Sequence, residues 1–228
     1  MRKSRPRLVL TGSGGLLGSA LRAGLAGDYR ILELSRRLGH DLADEAFVKK
    51  WFARNPAEYL VVAHGLNDHV DGGRKGNSLF DVSLESVSAF LNVNVLSAFS
   101  VCREFARHRC AKGIVTLSSI YGLVSPVPEL YGGREKHIGY SLSKTADIGL
   151  TRHLAVHLAP RVRVNCVVPG GVRHKQPRAF LRRYSVQTPM RRMMEKDELV
   201  GTVAFLCSER SSYMTGAVLV LDGGRTVI

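Results

Sequence analysis

Tyr140 and Lys144 stand four residues apart in the run Tyr140-Ser141-Leu142-Ser143-Lys144, where a long helical pattern begins. Residues at i and i+4 share one face of a helix, so the spacing predicts an ammonium beneath a phenol. A nearby positive charge favours the phenolate. A phenol ordinarily titrates near 10, and lowering that value makes Tyr140 a proton donor or acceptor at neutral pH. Such a pair recurs by chance in unrelated chains, so its meaning depends on the elements that position it.

Those elements alternate. Apolar, strand-like segments fall at Arg7–Thr11, Arg30–Leu34, Tyr59–His64, Gly113–Ser118, Val162–Val168 and Ala217–Leu221. Helical patterns fall between them at Leu16–Ala26, Asp44–Arg54, Ser83–His108, Tyr140–Leu158 and Glu195–Ser208, with a Gly-rich loop over 65–77. Strand and helix in alternation predict β-α units about a parallel sheet. With no internal repeat, low-complexity linker or boundary, residues 1–228 are expected to form a single α/β domain, a doubly wound parallel sheet with helices on both faces.

The first strand runs straight into Thr11-Gly12-Ser13-Gly14-Gly15-Leu16-Leu17-Gly18. Glycines in such a turn let backbone approach a pyrophosphate, and the open N–H groups and dipole of the following helix attract it. The alternative is a turn that only packs helix on strand. Placement after the first strand favours a dinucleotide held by Gly12, Ser13, Gly15, Leu16, Leu17 and Gly18. The second strand ends at Leu34-Ser35-Arg36-Arg37, without an acid. A carboxylate there binds a ribose 2′-hydroxyl, whereas arginine accommodates a 2′-phosphate. Guanidinium forks match phosphate, so Arg36 and Arg37 point to NADP(H), with NAD the second choice. Two solvated surface arginines are the competing explanation.

Composition narrows the class only in part. Apolar residues make up 45% and charged residues 23% of the chain, values ordinary for one globular domain. Basic residues number 33 against 19 acidic, a formal net charge of +14. Such an excess suits nucleic acid, anionic substrates or a solvated surface, and does not choose among them. Cys102, Cys110, Cys166 and Cys207 are scattered, as expected for free thiols in a reducing compartment. No apolar run approaches the ~20 residues that cross a bilayer. Leu8-Val9-Leu10 after the basic opening is too short for a signal sequence. The expectation is a cytoplasmic protein without a membrane partner.

Taken in order, the Gly-rich turn, Asn94, Ser118-Ser119, Tyr140-x-x-x-Lys144, Pro169-Gly170 and the tail from Ser211-Ser212-Tyr213-Met214-Thr215-Gly216 to Asp222-Gly223-Gly224 resemble the short-chain dehydrogenase/reductase superfamily over essentially the whole chain. The resemblance implies a Rossmann fold and an alcohol/ketone oxidoreductase. It implies that Tyr140 is the acid/base, that Ser119 hydrogen-bonds the substrate oxygen, with Ser118 the other choice, and that Lys144 holds the nicotinamide ribose. Asn94 would support a water relay to Lys144, or satisfy backbone groups within its helix. Asp41 and Leu42 resemble the pair that contacts adenine, unless Asp41 is an N-cap. Ala63 and Gly65 would follow the cofactor along the third strand, and Val168-Pro169-Gly170-Gly171-Val172 would line the nicotinamide. Several positions depart from the family pattern. Gly12, Gly15 and Gly18 follow the spacing of the extended branch, with Leu16 where the shorter branch has glycine. Val62-Ala63-His64-Gly65 replaces Asn-Asn-Ala-Gly, leaving His64 as a functional or a structural histidine. Arg173-His174-Lys175 stands where a threonine is usual.

Two segments bear on the substrate. Twenty-one positions separate Ser119 from Tyr140, and the added loop from Leu123 to Gly139 carries Pro126, Pro128, Tyr131, Gly132, Gly133 and Arg134. It is expected to wall the active site. The segment Arg173–Arg192 takes the place of the family's substrate lid and holds Arg173, Lys175, Arg178, Arg182, Arg183, Arg191 and Arg192 without an acid. Such a run suggests an anionic small-molecule substrate. Ser118-Ser119-Ile120-Tyr121-Gly122, the Pro-containing insertion, and Pro169-Gly170-Gly171-Val172 with Gln176-Pro177 resemble oxidoreductases of surface-glycan and flagellin-glycan (legionaminic-acid type) pathways, which implies a sugar or sugar-phosphate substrate. A 3-oxoacyl or other lipid-type reductase, and a non-catalytic NADP sensor or nucleic-acid binder on the same fold, are the alternatives; retention of Asn94, Ser119, Tyr140 and Lys144 disfavours the latter two. The resemblance also implies a homo-oligomer, a tetramer or dimer, built through the helices at Ser83–His108 and Tyr140–Leu158.

Overall fold

Among the described residues, six parallel strands form one sheet in the order β2-β1-β3-β4-β5-β6: β1 (Arg7–Thr11), β2 (Arg30–Leu34), β3 (Tyr59–Val62), β4 (Gly113–Leu117), β5 (Arg163–Pro169) and β6 (Val218–Leu221). This structure, a computed structural model, describes residues 5–67 and 78–228. The start of the basic opening and most of the Gly-rich loop expected over 65–77 lie outside the described residues. Helices α1 (Leu16–Leu25), α2 (Glu45–Arg54), α3 (Leu84–Leu91), α4 (Ser97–Ala106), α5 (Ile138–Leu158), α6 (Arg178–Val186) and α7 (Val200–Leu206) complete the order. Every residue of β3 and β4 is buried, as a parallel sheet covered on both faces requires.

Successive strand side chains point to opposite faces, and this alternation sorts the core into two layers. Leu8, Leu10, Val61, Val115, Leu117 and Val167 pack with Leu21 and Leu25 of α1 and Val203 and Leu206 of α7. Val9, Leu60, Val62, Ile114 and Val164 pack with Phe52 of α2, Val101 and Phe105 of α4, and Leu154 of α5. From β1 the chain moves outward to β2, then returns past β1 to β3. The C-terminal ends of β1 and β3 therefore flank the point where the winding reverses, the place at which open α/β sheets bind ligands.

Local geometry departs from the sequence pattern in three places. The expected helix Ser83–His108 is α3 and α4 joined by a π-helical turn, Asn92–Leu96; apolar periodicity does not register that widening, which sits where Asn94 turns its amide out of the helix. The expected helix Glu195–Ser208 begins as a 3₁₀ turn, Lys196–Leu199, because Glu195 and Glu198 close a capping box, and becomes α-helical only at Val200. Within the lid segment, α6 had no predicted counterpart. Taken together, Leu84–Ala106 has the length and the mean hydropathy (1.3) of a membrane span, a test that core helices of globular domains also pass. Its α4 half nonetheless packs on the sheet and buries Glu104, whose carboxylate accepts from Arg103 Nε and Arg107 Nε, both at 2.9 Å.

Candidate active site

The Gly-rich turn lies at the switch point. Gly12 adopts φ +67°, and a Cβ there would come within 2.6 Å of the Ala63 carbonyl oxygen; a Cβ on Gly18 would overlap the Gly12 carbonyl. Both positions thus require glycine to bring β1, α1 and the end of β3 together. Helix α1 starts at Leu16 with Gly15 as its N-cap and no side-chain cap, so its first N–H groups are open to an anion. The buried Ser13 hydroxyl has no partner. A cleft of about 540 Å³ is lined here by Gly14, Gly15, Leu16, Arg37, Arg173 and Lys196, among others. Open helix N–H groups, an orphaned hydroxyl and flanking cations fit a dinucleotide's phosphates.

The two arginines after β2 part company. Arg37 lays its methylenes across Gly14, with Cδ 2.9 Å from where a Cβ would stand, and lines the cleft; Arg36 does not line it. Asp41 Oδ1 accepts from its near neighbour Ala43 N at 3.0 Å, while the N-cap of α2 is Asp44, accepting from Ala46 N and Phe47 N. The capping role considered for Asp41 therefore belongs to Asp44. Leu42 turns into the core beneath α2.

Helix α5 carries the phenol and the ammonium. It is capped by His137, whose Nδ1 accepts from Gly139 N at 3.0 Å and whose ring stacks on Phe90 at 4.7 Å. Lys144 is buried, and its Nζ donates to the Leu117 carbonyl at the end of β4 (2.9 Å) and to Asp147 Oδ2 (2.8 Å). Burial alone pulls this ammonium down, but Asp147 and Tyr140 outweigh it and hold Lys144 above the ordinary lysine value. Asn94 is buried in the π turn: its Oδ1 accepts from Leu66 N (2.6 Å), and its Nδ2 donates to Leu66 O (3.1 Å) and to Ser143 Oγ (2.8 Å). Ser143 Oγ in turn donates to Tyr140 O at 2.8 Å, so Asn94 ties the loop after β3 to the first turn of α5. It satisfies backbone groups outside its own helix, not within it.

The two serines after β4 are also distinguished. Ser118 Oγ donates to the Lys144 carbonyl at 2.7 Å, which commits it to holding α5 against the sheet. Ser119 Oγ accepts from Tyr121 N at 3.2 Å. Since a hydroxyl both donates and accepts, its proton remains for a ligand. Gly122 lets this turn touch α5, since a Cβ would stand 2.6 Å from Lys144 O.

His64 joins β1 to the π turn. Its Nδ1 meets Thr11 Oγ1 and its Nε2 meets Ser97 Oγ, each at 2.7 Å, and Ser97 Oγ donates to Val93 O at 2.6 Å. Burial, reinforced by Lys144 and Arg36, pushes the imidazole down to about 3. It is a neutral strut. Ala63 N donates to Thr11 Oγ1 (3.1 Å), and Gly65 lies against the Asn94 amide, 3.1 Å from a would-be Cβ to Oδ1. At the other side of the site Pro169 ends β5, Gly170 N donates to Leu221 O (2.8 Å), and Val172 bridges to Met194.

The insertion and the lid form one wall. Leu130, fully buried, packs with Tyr131, Phe180, Leu181, Tyr184 and Met193, and Arg183 Nε donates to Leu130 O at 2.8 Å. Tyr121 OH and Tyr131 OH share a 2.5 Å hydrogen bond, and the Tyr121 ring meets Tyr140 edge to face at 6.5 Å. Lys136 Nζ stands 4.6 Å from the centroid of the Tyr140 ring and donates to Asn67 Oδ1 at 2.7 Å. The cationic lid is less free than its sequence suggests. Arg173 pairs with Glu195 (3.3 Å), Arg192 is bidentate to Glu198 (2.7 Å), Arg183 holds Leu130 O, and Arg191 Nη1 donates to Val186 O. The neutralising acids lie just beyond the segment. Among the described residues, only Lys175, Arg178 and Arg182 of the seven hold no such bond.

Sequence order, switch point and glycine cradle define a Rossmann-type α/β domain. The family model described as enoyl-(acyl carrier protein) reductase matches residues 29–226, and the chain belongs to the short-chain dehydrogenase/reductase family. It is 37% identical to dehydrogenase/reductase SDR family member 4 of Bos taurus over 157 residues, covering 64% of this chain and 53% of that protein. The match thus spans about half the length of that relative. It is 29% identical to 3-oxoacyl-(acyl-carrier-protein) reductase FabG of Aquifex aeolicus over 228 residues, covering 95% of this chain and 86% of that one. Among solved structures, a short-chain dehydrogenase of Leptospira borgpetersenii with bound NAD+ superposes with a TM-score of 0.86 at 25% identity, covering 97% of this chain and 93% of that chain.

Proposed function

We propose that this chain is an NADP(H)-dependent oxidoreductase that interconverts an alcohol and a ketone, with Tyr140, Ser119, Lys144 and Asn94 as its proton-handling set. The observation that carries the proposal is the buried ammonium of Lys144, one turn after Tyr140 on α5 and bonded to the Leu117 carbonyl at the end of β4, with Asn94 tied to the Tyr140 carbonyl through Ser143. A nicotinamide, held by the Gly12–Gly18 turn and Lys144, would supply or accept the hydride. Tyr140 then donates a proton to the carbonyl oxygen in reduction, or removes one from the hydroxyl in oxidation. Ser119 donates to the same oxygen with the proton left over from its bond to Tyr121 N. Lys144 offers its remaining N–H to the ribose. Asn94 fixes the first turn of α5 through Ser143.

For the 2′-phosphate, Arg37 rather than Arg36 is the contact residue, since it alone of the two lines the cleft beside Gly14. The Leptospira relative holds NAD+; here the absence of an acid after β2 and the presence of Arg37 favour NADP(H). The substrate is a small sugar or sugar phosphate, as for the glycan-pathway oxidoreductases that the insertion resembles. Its anion would be met by Lys175, Arg178 and Arg182. Against this, the aromatic wall of Tyr121, Tyr131 and Phe180 favours an apolar acyl carbonyl, the substrate class that the FabG relative's name carries.

The domain is the whole of residues 1–228 with residues 173–192 as lid, and it assembles with copies of itself through α4, the π turn before it and α5, where Phe99, Leu96 and Val156 respectively are exposed. A cytoplasmic location suits its thiols, none of them paired. The test is a cofactor-coupled screen of phosphorylated sugars, amino sugars and 3-oxoacyl thioesters with NADP(H) and NAD(H) in parallel. Turnover of a sugar with NADP(H) supports the proposal; turnover only of acyl thioesters replaces the substrate, and no turnover of any carbonyl or alcohol removes the activity.

A further inference from the structure

Asp147 has no part in the proton transfer described above, yet it is one of the few acids the domain buries. It sits one turn beyond Lys144 on the same face of α5 and is 4% exposed. Its Oδ2 accepts from Lys144 Nζ at 2.8 Å, with both side chains almost wholly out of solvent. An ammonium has three donors. Leu117 O and Asp147 Oδ2 occupy two of them.

We propose that Asp147 is a positioning residue for Lys144: its buried carboxylate, acting with the Leu117 carbonyl, fixes the ammonium so that one N–H remains for the ribose and the Tyr140 end of the helix. This rests on the oxidoreductase proposal for its consequence, but the pairing itself does not. A buried ammonium without a counter-ion is driven toward its neutral form, and a neutral Lys144 would not hold its bonds to Leu117 and Asp147 in the same way. The other titratable groups facing the pair give no substitute. Cys102 on α4 and Cys166 on β5 face Asp147, and burial pushes both thiols up, so they are neutral at pH 7. His64 faces Lys144 and is neutral as well. Tyr140 is the remaining neighbour, and its charge changes during the reaction. Burial pushes the Asp147 carboxyl up and Lys144 pulls it back down, and among the described residues it is the carboxylate that meets the Lys144 ammonium directly.

The test reads Lys144 directly. The pH dependence of trace acetylation of Lys144, followed by peptide mass spectrometry on the folded protein, gives the midpoint of the ammonium's titration without substrate or turnover. In the unmodified chain the midpoint is expected at or above the ordinary lysine value of about 10.4; a midpoint clearly below it would overturn the proposal without recourse to any variant. Asp147→Asn is expected to lower the midpoint by at least about one pH unit, and Asp147→Glu to keep most of it. With the midpoint about one unit below 10.4, NADPH affinity, read by fluorescence, is expected to fall about fivefold more at pH 10 than at pH 7.5 in Asp147→Asn, and by less than about twofold between the two in the unmodified chain. An unchanged midpoint, or a loss of the same size at every pH, would mark Asp147 as packing only. A shifted midpoint in a protein that turns over nothing in the screen would leave the pairing standing and remove the oxidoreductase proposal.

Discussion

Replacing Arg37 by alanine separates a phosphate contact from a surface charge. The side chain crosses Gly14 with its methylenes and reaches the cleft that Gly15 and Leu16 line, where a 2′-phosphate would stand beside the end of β2. A hydrogen bond to a charged group is worth roughly 1.5–3 kcal/mol. Arg37 is exposed, and at 0.1 M salt the screening length is only ~10 Å, which places the expected loss at the lower end of that range. One factor of ten in affinity is about 1.4 kcal/mol, so the Kd for NADPH should rise roughly ten- to thirtyfold. The Kd for NADH, which has no 2′-phosphate, should stay within about twofold. Arg36→Ala, on a residue that does not line the cleft, should change either cofactor by less than about threefold. Fluorescence titration of both cofactors against the three proteins measures all of this, and the NADPH effect should shrink with added salt. Equal weakening of NADPH and NADH would mean that only packing on Gly14 was lost. No change with either would return Arg37 to the solvated surface.

Further outcomes follow from the strut and the wall. His64 titrates near 6.5 when unfolded and at about 3 when folded, so between those values the unfolded chain binds the extra proton and stability falls as pH falls. The slope from this group is at most about 1.4 kcal/mol per pH unit; urea unfolding of the unmodified chain and His64→Asn at pH 7.5 and 5 should show it in the first and not in the second. Parallel slopes would refute the buried neutral histidine. Leu130→Ala removes a fully buried side chain from the joint between insertion and lid and should cost about 2–5 kcal/mol, lowering Tm. If lid and insertion act together, KM for substrate should rise while the Kd for NADPH holds; a Tm loss with an unchanged KM would make the joint structural only.

Much of the framework is legible in the chain because it depends on local pattern. The strands of the parallel sheet are short, mainly apolar segments such as Tyr59–Val62, and the turn from Gly12 to Gly18 carries its geometry in its glycines. Tyr140 and Lys144 are tied by helical spacing alone. What the sequence hides depends on tertiary partners. The π turn at Asn92–Leu96 arises because Asn94 reaches Leu66 and Ser143, residues 28 and 49 positions away, and no window of periodicity spans them. The lid's cations looked unpaired because Glu195 and Glu198, which hold Arg173 and Arg192, fall just past the segment counted. Ser118 and Ser119 are told apart only by tertiary and turn contacts, Ser118 meeting the Lys144 carbonyl and Ser119 the Tyr121 N–H. Asp147 did leave a signal, an acid three residues after the lysine on the same helix face, but only its burial gives that spacing meaning.

The central claim is that Tyr140 moves the proton. The most direct measurement compares Tyr140→Phe with the unmodified chain in the cofactor-coupled assay, on whichever substrate the screen identifies, with NADPH binding followed in parallel. Loss of the phenolic O–H should lower kcat by at least the roughly 10²–10⁴ that a positioned acid or base contributes, with the Kd for NADPH within about twofold. Turnover within a few-fold of the unmodified chain, with cofactor still bound, would contradict it.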